Sequence, residues 1–166
     1  MARAIQGVTV SISIHDASVL QSFEEVVPRA AAHAESYLRA VAQGVQEYEP
    51  PVSMAIDTLH SGGFRAQQIQ CLVVEPTEPR LRPFKTAHYA VPSGGSLRVG
   101  WHLVGRERAG GRQIGILSFG APSDLEVDEV MSIVQIVHTY AVVPAIQQLA
   151  DSVQYGNQQS GGFFGV

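Results

Sequence analysis

The sequence predicts a single α+β domain, in which an antiparallel sheet of five or six strands packs with a kinked N-terminal helix and a long C-terminal helix. Several short segments alternate apolar and polar residues, which is the pattern of strands with one buried face. Two longer segments repeat apolar residues at helical spacing. At 166 residues the chain is long enough to bury a core without disulfides or metals.

Charged residues are sparse along the chain. They make up 16% of it, the net charge is -4 and no basic block is present, so we expect neither nucleic acid nor a membrane as a main partner. The first residues lead into an alternating segment, and no run reaches about 18 apolar residues, so we expect neither a signal peptide nor a membrane span. The single cysteine, Cys71, lies in an apolar run and is expected to be a buried filler.

The N-terminal third is predicted to be a strand followed by a helix. Residues 8–14 alternate apolar and polar side chains, as a half-buried strand does. Ser18 can cap a helix, and apolar residues then recur at helical spacing from Val19 to Val45. Pro28 cannot donate a hydrogen bond within that helix, so a kink is expected there.

The middle of the chain is predicted to consist of hairpins. Paired glycines between alternating runs are typical of hairpin turns, because glycine adopts positive φ without steric cost. The proline-rich segment 76–83 is expected to be a rigid surface connection and the best candidate for a functional loop. The expected strands are 52–56, 68–74, 97–103 and 114–119, and the expected glycine turns lie at 62–63, 94–95 and 110–111.

The most informative segment is the last helix, which is predicted from Ser123 to Val153. Ser123 and Glu126 form the S-x-x-E pattern of a capping box, and Pro144 is expected to bend the helix. Its apolar residues fall on two faces, whereas a helix that covers one side of a small domain needs only one. The second face therefore predicts contact with another subunit. We expect this interface to include Ile133, Ile136, Tyr140 and Val143.

The folded domain is predicted to cover residues 1–153, and residues 154–166 are predicted to form a flexible tail. The tail is rich in Gly, Gln and Ser, and such composition is typical of mobile termini. Phe163 and Phe164 stand side by side near its end, and two exposed aromatic rings gain free energy when they are buried. We expect these rings to dock on a neighbouring subunit, with packing on their own domain as the alternative.

No motif of catalysis, metal binding or nucleotide binding is found at a diagnostic spacing. The six histidines show no paired spacing of a zinc site, and the paired glycines lack the frame of a phosphate-binding loop. Residues 60–63, His-Ser-Gly-Gly, lack the G-x-S-x-G pattern of a hydrolase turn. Asp57 with His60, or Glu75 with His88, could form an acid–base pair, but spacing alone places neither in a cleft. We therefore expect no catalytic residue, cofactor or metal.

Two parts of the chain resemble proteins of phage tails. The run Val8-Thr-Val-Ser-Ile-Ser-Ile and the alanine-rich segment through Ala42 resemble the opening of tail-completion or minor tail proteins of long-tailed phages. Such proteins continue with a TG-x-LR-x-S/W element, which is echoed at 61–65 and more closely at 92–101, and Val143-Pro144-Ala145-Ile146 is similar to a segment near their end. The resemblance implies a virion tail or neck subunit that is made in the cytoplasm. The proline-rich segment 76–92 departs from the pattern.

The C-terminal third carries a second resemblance. Residues 111–119, followed by Asp128, Glu129 and a long helix, are similar to the last strand and helix of GAF-type sensory domains. This resemblance implies a dimeric regulatory module or a sensor of small ligands.

Three functional hypotheses follow. The leading one is a non-enzymatic structural or adaptor subunit of a larger assembly, whose partners are copies of itself or neighbouring structural subunits. The first alternative is a GAF-like module. The second alternative is a helix-grip-like ligand-binding protein or enzyme, in which the sheet wraps the last helix around a cavity lined by Trp101, Tyr89 and His88.

Overall fold

The sheet forms the centre of the molecule. The computed structural model describes residues 12–13, 17–60, 68–106 and 123–160. Within them the sheet runs in the order β1-β3-β4-β5-β6-β2 and is antiparallel, apart from a short parallel contact between β1 and β3. Its strands are β1 (Ile12–Ser13), β2 (Ala17–Val27), β3 (Val52–His60), β4 (Gln68–Pro76), β5 (Phe84–Ser93) and β6 (Ser96–Arg106).

Two helical regions complete the α+β fold, and the predicted fold class is confirmed. The first is α1, Ala34–Tyr48, which is preceded by the 3-10 turn Ala31–His33. The second is a continuous helix near the C-terminus, composed of α2 (Asp124–Val137), one π-helical turn (His138–Val142) and α3 (Val143–Ser160). This helix extends beyond the predicted end at Val153, and Phe163 and Phe164 lie outside the described residues.

The first half of the predicted N-terminal helix is instead the strand β2. It pairs with β6 from Ala17 opposite Arg106 to Val27 opposite Leu97. The apolar residues that suggested helical spacing do not share a buried face, since Val19 and Val26 are about half exposed. Backbone hydrogen bonds to a strand far away in sequence therefore override the local pattern.

The break expected at Pro28 is present, but it separates a strand from a helix. Arg29 adopts a positive φ of 62°, and the 3-10 turn then leads into α1. Glu49, with φ of 50°, ends α1 in the left-handed region and donates its backbone N–H to the carbonyl of Val45.

The predicted hairpins are confirmed where the structure describes them. β3 and β4 pair from Val52 opposite Pro76 to His60 opposite Gln68. β5 and β6 meet at a two-residue turn, in which Gly94 and Gly95 have φ of 56° and 89°. The turns predicted at 62–63 and 110–111 and the strand predicted at 114–119 lie outside the described residues.

The proline-rich connection is anchored more firmly than a surface loop. It contains the 3-10 turn Pro79–Leu81, and the side chain of Leu81 is fully buried. Arg80 forms an ion pair at 2.7 Å with Glu129 of α2. The segment therefore ties the sheet to the long helix, and this contact gives it a structural role.

Both faces of the central strands are buried. The face toward the helices carries a large hydrophobic core, to which α1 contributes Tyr37 and Val41 and the long helix contributes Val134 and Val142. The opposite face carries a smaller cluster of Cys71, Val73 and Ala87. The prediction that Cys71 is a buried filler is confirmed, and burial raises the pKa of its thiol to about 12.

The long helix begins with the predicted capping box and widens before Pro144. Ser123 accepts a hydrogen bond from the backbone of Glu126, and the Glu126 carboxylate accepts one from the backbone of Ser123. Pro144 lacks the N–H that would bond to the carbonyl of Tyr140 in an α-helix, and its ring conflicts with that carbonyl. The π-helical turn relieves this conflict, and there Ala141 packs closely on Gly44 of α1.

Replacing Ser123 with alanine is expected to lower the free energy of unfolding by about 1 kcal/mol, because the helix loses its capping oxygen. Ser152→Ala is the matched control, since the Ser152 hydroxyl only bonds back to the Leu149 carbonyl within the helix. Urea unfolding of both variants checks the prediction. Equal stability of the two variants would show that the capping box contributes little.

One described helix, Asp124–Gln154, is long and apolar enough to cross a membrane by length and composition. About 39% of the most apolar 18-residue segment of this helix is buried inside the molecule. Apolar composition of this kind is also expected of a helix that covers a sheet, so it does not decide where the protein resides.

Candidate functional site

A row of side chains crosses the helix-facing side of the sheet. Leu72 of β4 lies opposite His88 of β5, His88 lies opposite Trp101 of β6, and Trp101 lies opposite Phe23 of β2. Directly paired residues of neighbouring antiparallel strands share a face. The sheet therefore brings an imidazole and two aromatic rings together beneath the helices.

His88 is fully buried in this row and has one side-chain partner. Its Nε2 lies 3.1 Å from the Thr86 hydroxyl, and that hydroxyl lies 3.4 Å from the carbonyl oxygen of Val74. A hydroxyl has a single hydrogen, so both contacts are satisfied if Thr86 donates to Val74 and accepts from the N–H at Nε2. Nδ1 is then an acceptor, and no described group lies within hydrogen-bonding distance of it.

His88 is uncharged at neutral pH. Burial, and secondarily the nearby His138, lower the pKa of its imidazole from 6.5 to about 3. A protonated imidazole there would be a charge removed from water with no described carboxylate to pair with it.

His138, the first residue of the π-helical turn, closes over the row. Its Nδ1 accepts a hydrogen bond of 3.2 Å from Nε1 of Trp101. Its ring meets the ring of Phe23 edge to face, with centroids 4.6 Å apart. Partial burial lowers the pKa of His138, and the charge of Glu25 opposes that shift. Sequence spacing gave no indication of this residue, because its contacts come from two distant strands.

Tyr37 of α1 adds another polar atom to the same hydrophobic core. Its side chain is 1% exposed, and its hydroxyl has no described hydrogen-bond partner. Burial raises the pKa of this phenol above its ordinary range, and the charge of Glu25 acts in the same direction.

The structure separates Tyr89 from the other two residues of the predicted cavity. Trp101 and His88 share the helix-facing side, whereas Tyr89 points to the opposite side of the sheet. There its ring stacks on His102 with centroids 5.0 Å apart, and its hydroxyl donates to Glu24 at 3.0 Å. Adjacent residues of a strand face opposite sides, so the sequence already carried the signal that separates positions 88 and 89.

The acid–base pair that the sequence allowed between Glu75 and His88 is not formed. Glu75 lies on the side of β4 that faces away from the helices, and its carboxylate pairs with Lys85. Asp57 lies on that side as well, and it accepts a hydrogen bond of 2.6 Å from the backbone of Thr58. The side chain of His60 lies outside the described residues. Among the described residues, no three His, Cys, Asp or Glu side chains lie close enough together to hold a metal ion.

The predicted interface residues of the long helix fall in different surroundings. Ile136 and Tyr140 line a shallow open groove on the outer side of α2, together with Met131, Ser132, Gln135 and Thr139. Ile133 points inward and lines a void of about one water molecule beside Val134. Val143 is half-buried.

An exposed aromatic pair borders this groove. Tyr140 stacks on Tyr48, the last residue of α1, with ring centroids 4.2 Å apart and planes 10° apart. Both side chains remain about half exposed. Sequence analysis missed Tyr48, because only the crossing of the two helices brings it to Tyr140.

The comparisons with known proteins show weak likenesses only. No protein-family model and no curated protein sequence matches the chain. The quaternary ammonium Rieske monooxygenase CntA, solved with its substrate L-carnitine, aligns with 86% of this chain at 12% identity and a TM-score of 0.41. The alignment covers 40% of that protein's length.

Two shorter solved structures are also similar. Ara h 8.0201 aligns with 76% of this chain and 98% of its own, at 10% identity and a TM-score of 0.37. TTHA0849 from Thermus thermophilus aligns with 81% of this chain and 97% of its own, at 14% identity and a TM-score of 0.27. Likenesses at this level establish neither a shared fold nor a shared activity.

Proposed function

We propose that the protein is a non-enzymatic subunit of a larger assembly and that it binds a second copy of itself through the outer helix face. This face consists of Met131, Ser132, Gln135, Ile136, Thr139 and Tyr140. The observation that carries the proposal is the absence of any Asp, Glu, Lys or Arg from residues 130–150, solvent-facing positions included.

A helix face that stays in water normally carries charged residues. Here the exposed positions hold Ser132, Gln135 and Thr139, whose side chains both donate and accept hydrogen bonds. Such groups suit a protein surface better than lipid chains, which offer no hydrogen bonds. A protein partner is therefore favoured over a membrane.

The lack of charge also favours a second copy as the partner. Around a two-fold axis each patch meets a copy of itself, so charges close to the axis would approach their own copies and a patch of one sign would repel its partner. An uncharged face of amide, hydroxyl and apolar groups avoids that repulsion. The stacked rings of Tyr48 and Tyr140 add a firm aromatic anchor of the kind that is enriched at binding surfaces.

The more specific role in a phage-like tail or neck stays a prediction from resemblance, as does its location in the virion. A closed ring, in which unlike patches of neighbouring copies meet, would support the tail or neck role and contradict the two-fold contact, whereas a dimer would agree with the two-fold contact and with a GAF-like module. Electron microscopy of the purified assembly distinguishes the two outcomes.

Charge variants at Ile136 test the self-association. Ile136→Glu and Ile136→Lys are each expected to elute as monomers, because both copies then carry a charge of the same sign in the patch that contact would remove from water. An equimolar mixture of the two is expected to associate again, and more weakly at high salt. Light scattering coupled to size-exclusion chromatography measures all three samples.

Val26→Glu is the matched control, since Val26 is 54% exposed on the sheet face away from the helices. It is expected to associate like the wild type. A wild-type chain that is monomeric at every concentration tested would overturn the proposal. Monomeric variants whose mixture fails to associate would point to a different partner.

A further inference from the structure

We propose that His138 is a pH-sensitive switch between the long helix and the sheet. At neutral pH its uncharged imidazole accepts the hydrogen bond of Trp101, and in mild acid the protonated ring releases Trp101 and turns toward the carboxylate of Glu25 on β2. This inference concerns the inner side of the long helix and does not depend on the outer helix face.

The hydrogen bond itself fixes the protonation state of His138. The indole Nε1 of Trp101 can only donate, and it lies 3.2 Å from Nδ1 of His138. Nδ1 therefore carries no hydrogen, and the single N–H of the neutral ring lies at Nε2. An imidazolium ion carries hydrogen at both nitrogens, so a protonated ring cannot accept from the indole in either orientation. Protonation of His138 and this hydrogen bond exclude each other.

The surroundings of His138 allow its ring to move. The side chain is half-buried, so water reaches it, whereas Trp101 is 5% exposed. The ring packs edge to face on Phe23, which is also half-buried and belongs to the edge strand β2. His138 is also the first residue of the π-helical turn, and single turns of this kind are frequent at functional sites. The ring can therefore turn outward at the sheet edge without opening the centre of the core.

Glu25 gives the protonated ring an alternative partner. It lies on the helix-facing side of β2, two residues from Phe23, and its side chain is exposed. Among the described residues it is the charged group that acts on His138, and its negative charge favours the protonated form. The two forms of His138 thus have different partners, which is what a two-state switch requires.

The other titratable groups around the π-helical turn carry no charge in mild acid. His88 of β5 stays uncharged, because burial lowers its pKa to about 3. The nearby groups of α1 are the phenols of Tyr37 and Tyr48, and phenols are uncharged in acid. The residues beside Trp101 on the same face of β6 are apolar, and the long helix has no Asp, Glu, Lys or Arg within two turns of His138.

The direction of the pH dependence follows from these contacts. Burial lowers the pKa of His138 below its ordinary value of 6.5, and the charge of Glu25 opposes that shift. The bond to Trp101 is therefore intact above pH 6.5 and is lost as the pH falls through the pKa of the folded protein. The stability that the bond contributes is lost over the same range, because the unfolded chain takes up its proton first.

The indole N–H of Trp101 provides a direct measurement. Trp101 is the only tryptophan of the chain, so ¹H–¹⁵N spectra contain a single indole signal. This proton is expected to move upfield between pH 7 and about pH 5, because hydrogen-bonded protons resonate downfield of free ones. The ¹⁵N resonances of the His138 imidazole are expected to titrate with the same midpoint. This comparison requires no substitution.

Two histidine variants assign the response. His138→Gln keeps an amide oxygen that can accept from the indole but binds no proton. Its indole signal is expected to stay near the wild-type position at pH 7 and not to respond to acid. His88→Gln is the control, since His88 lies opposite Trp101 on the neighbouring strand. It should respond to pH like the wild type.

Two glutamate variants test the alternative partner. Glu25→Gln is expected to shift the midpoint to lower pH, because the protonated ring then has no anion beside it. Glu24→Gln is the control, since the neighbouring carboxylate of Glu24 accepts from Tyr89 on the other side of the sheet. It should leave the midpoint unchanged.

Several outcomes would overturn the inference. An indole signal that stays in place while the imidazole of His138 titrates would show that the bond does not break. A response that persists in His138→Gln would assign it to another group. Equal shifts of the midpoint in Glu25→Gln and Glu24→Gln would remove Glu25 as the alternative partner. Unfolding of the whole domain before the indole signal moves would show that the contact is a fixed part of the core.

Discussion

Gly100→Ala is expected to destabilise the protein by about 3 kcal/mol or more, which is the upper end of the range for overpacked sites. A Cβ atom at this position would lie 2.3 Å from the carbonyl oxygen of Phe23 on β2 and 2.7 Å from the hydroxyl of Tyr89 on β5. The first contact involves backbone, which cannot rotate away. The variant must therefore separate β2 from β6 or displace Tyr89 from its bond to Glu24.

The matched control for this change is Gly105→Ala in the same strand. There the only tight contact of the added Cβ would be with the end of the Leu20 side chain, at 3.1 Å, since the Phe84 ring lies at an ordinary 3.8 Å; Leu20 is 44% exposed and can move aside. Thermal unfolding is expected to show a drop of roughly 10 °C for Gly100→Ala and a much smaller drop for Gly105→Ala. Similar melting temperatures for the two variants would show that β2 is held loosely.

Acid is expected to destabilise the wild type through His88. The pKa of this imidazole is about 3 in the folded protein, whereas its ordinary value is 6.5. Above pH 6.5 the imidazole of His88 binds no proton in either the folded or the unfolded protein, so it does not make the free energy of unfolding depend on pH. Below that pH the unfolded chain binds a proton that the folded protein cannot, and stability falls by about 1.4 kcal/mol per pH unit. By pH 3 the loss attributable to His88 is on the order of 4 kcal/mol.

Other groups titrate in the same pH range, so the test compares how steeply the free energy of unfolding depends on pH in the wild type and in a variant. His88→Gln retains a polar side chain but binds no proton. Urea unfolding between pH 7 and about pH 4 is expected to give a flatter dependence for this variant than for the wild type. Parallel curves would show that His88 is hydrated or charged in the folded state.

Local patterns in the sequence were sufficient to predict much of the fold. Alternation predicted the pairing of β3 with β4 and the strand β6, and the two glycines at 94–95 predicted the tight turn before it. Ser123 and Glu126 predicted the start of the long helix. These features depend on side chains within a few residues of one another, so one sequence contains the necessary information.

The strand β2 could not be predicted in this way. Its core-facing residues are Phe23 and Val27, but Gln21 and Glu25 occupy the same side, so the alternation of apolar and polar residues is hidden. A shift in register between Val19 and Gln21 disturbs the pattern further. Its structure is determined by the free edge of β6, which lies far away in the sequence.

The candidate sites were predictable only in part. Two of the four predicted helix residues, Ile136 and Tyr140, line the outer groove, but their neighbour Tyr48 comes from another helix. The contact between Trp101 and His138 likewise depends on how the helix crosses the sheet. Such contacts follow from tertiary packing, which no local spacing encodes.

The π-helical turn at His138–Val142 changes how any helical wheel of this region should be drawn. One additional residue in a turn advances all later side chains by about 100° around the axis. The buried positions are Val130, Val134, Val137, Ala141 and Val142 up to the end of the turn, and Ala145, Ile146 and Leu149 after it, so the buried face is wider from the end of the turn onward. Of the second apolar stripe only Val143, which is half-buried, follows the turn, so the offset applies to this residue and not to Ile133 or Ile136. Deleting a single residue within the turn would restore an even phase and rotate α3 away from the core.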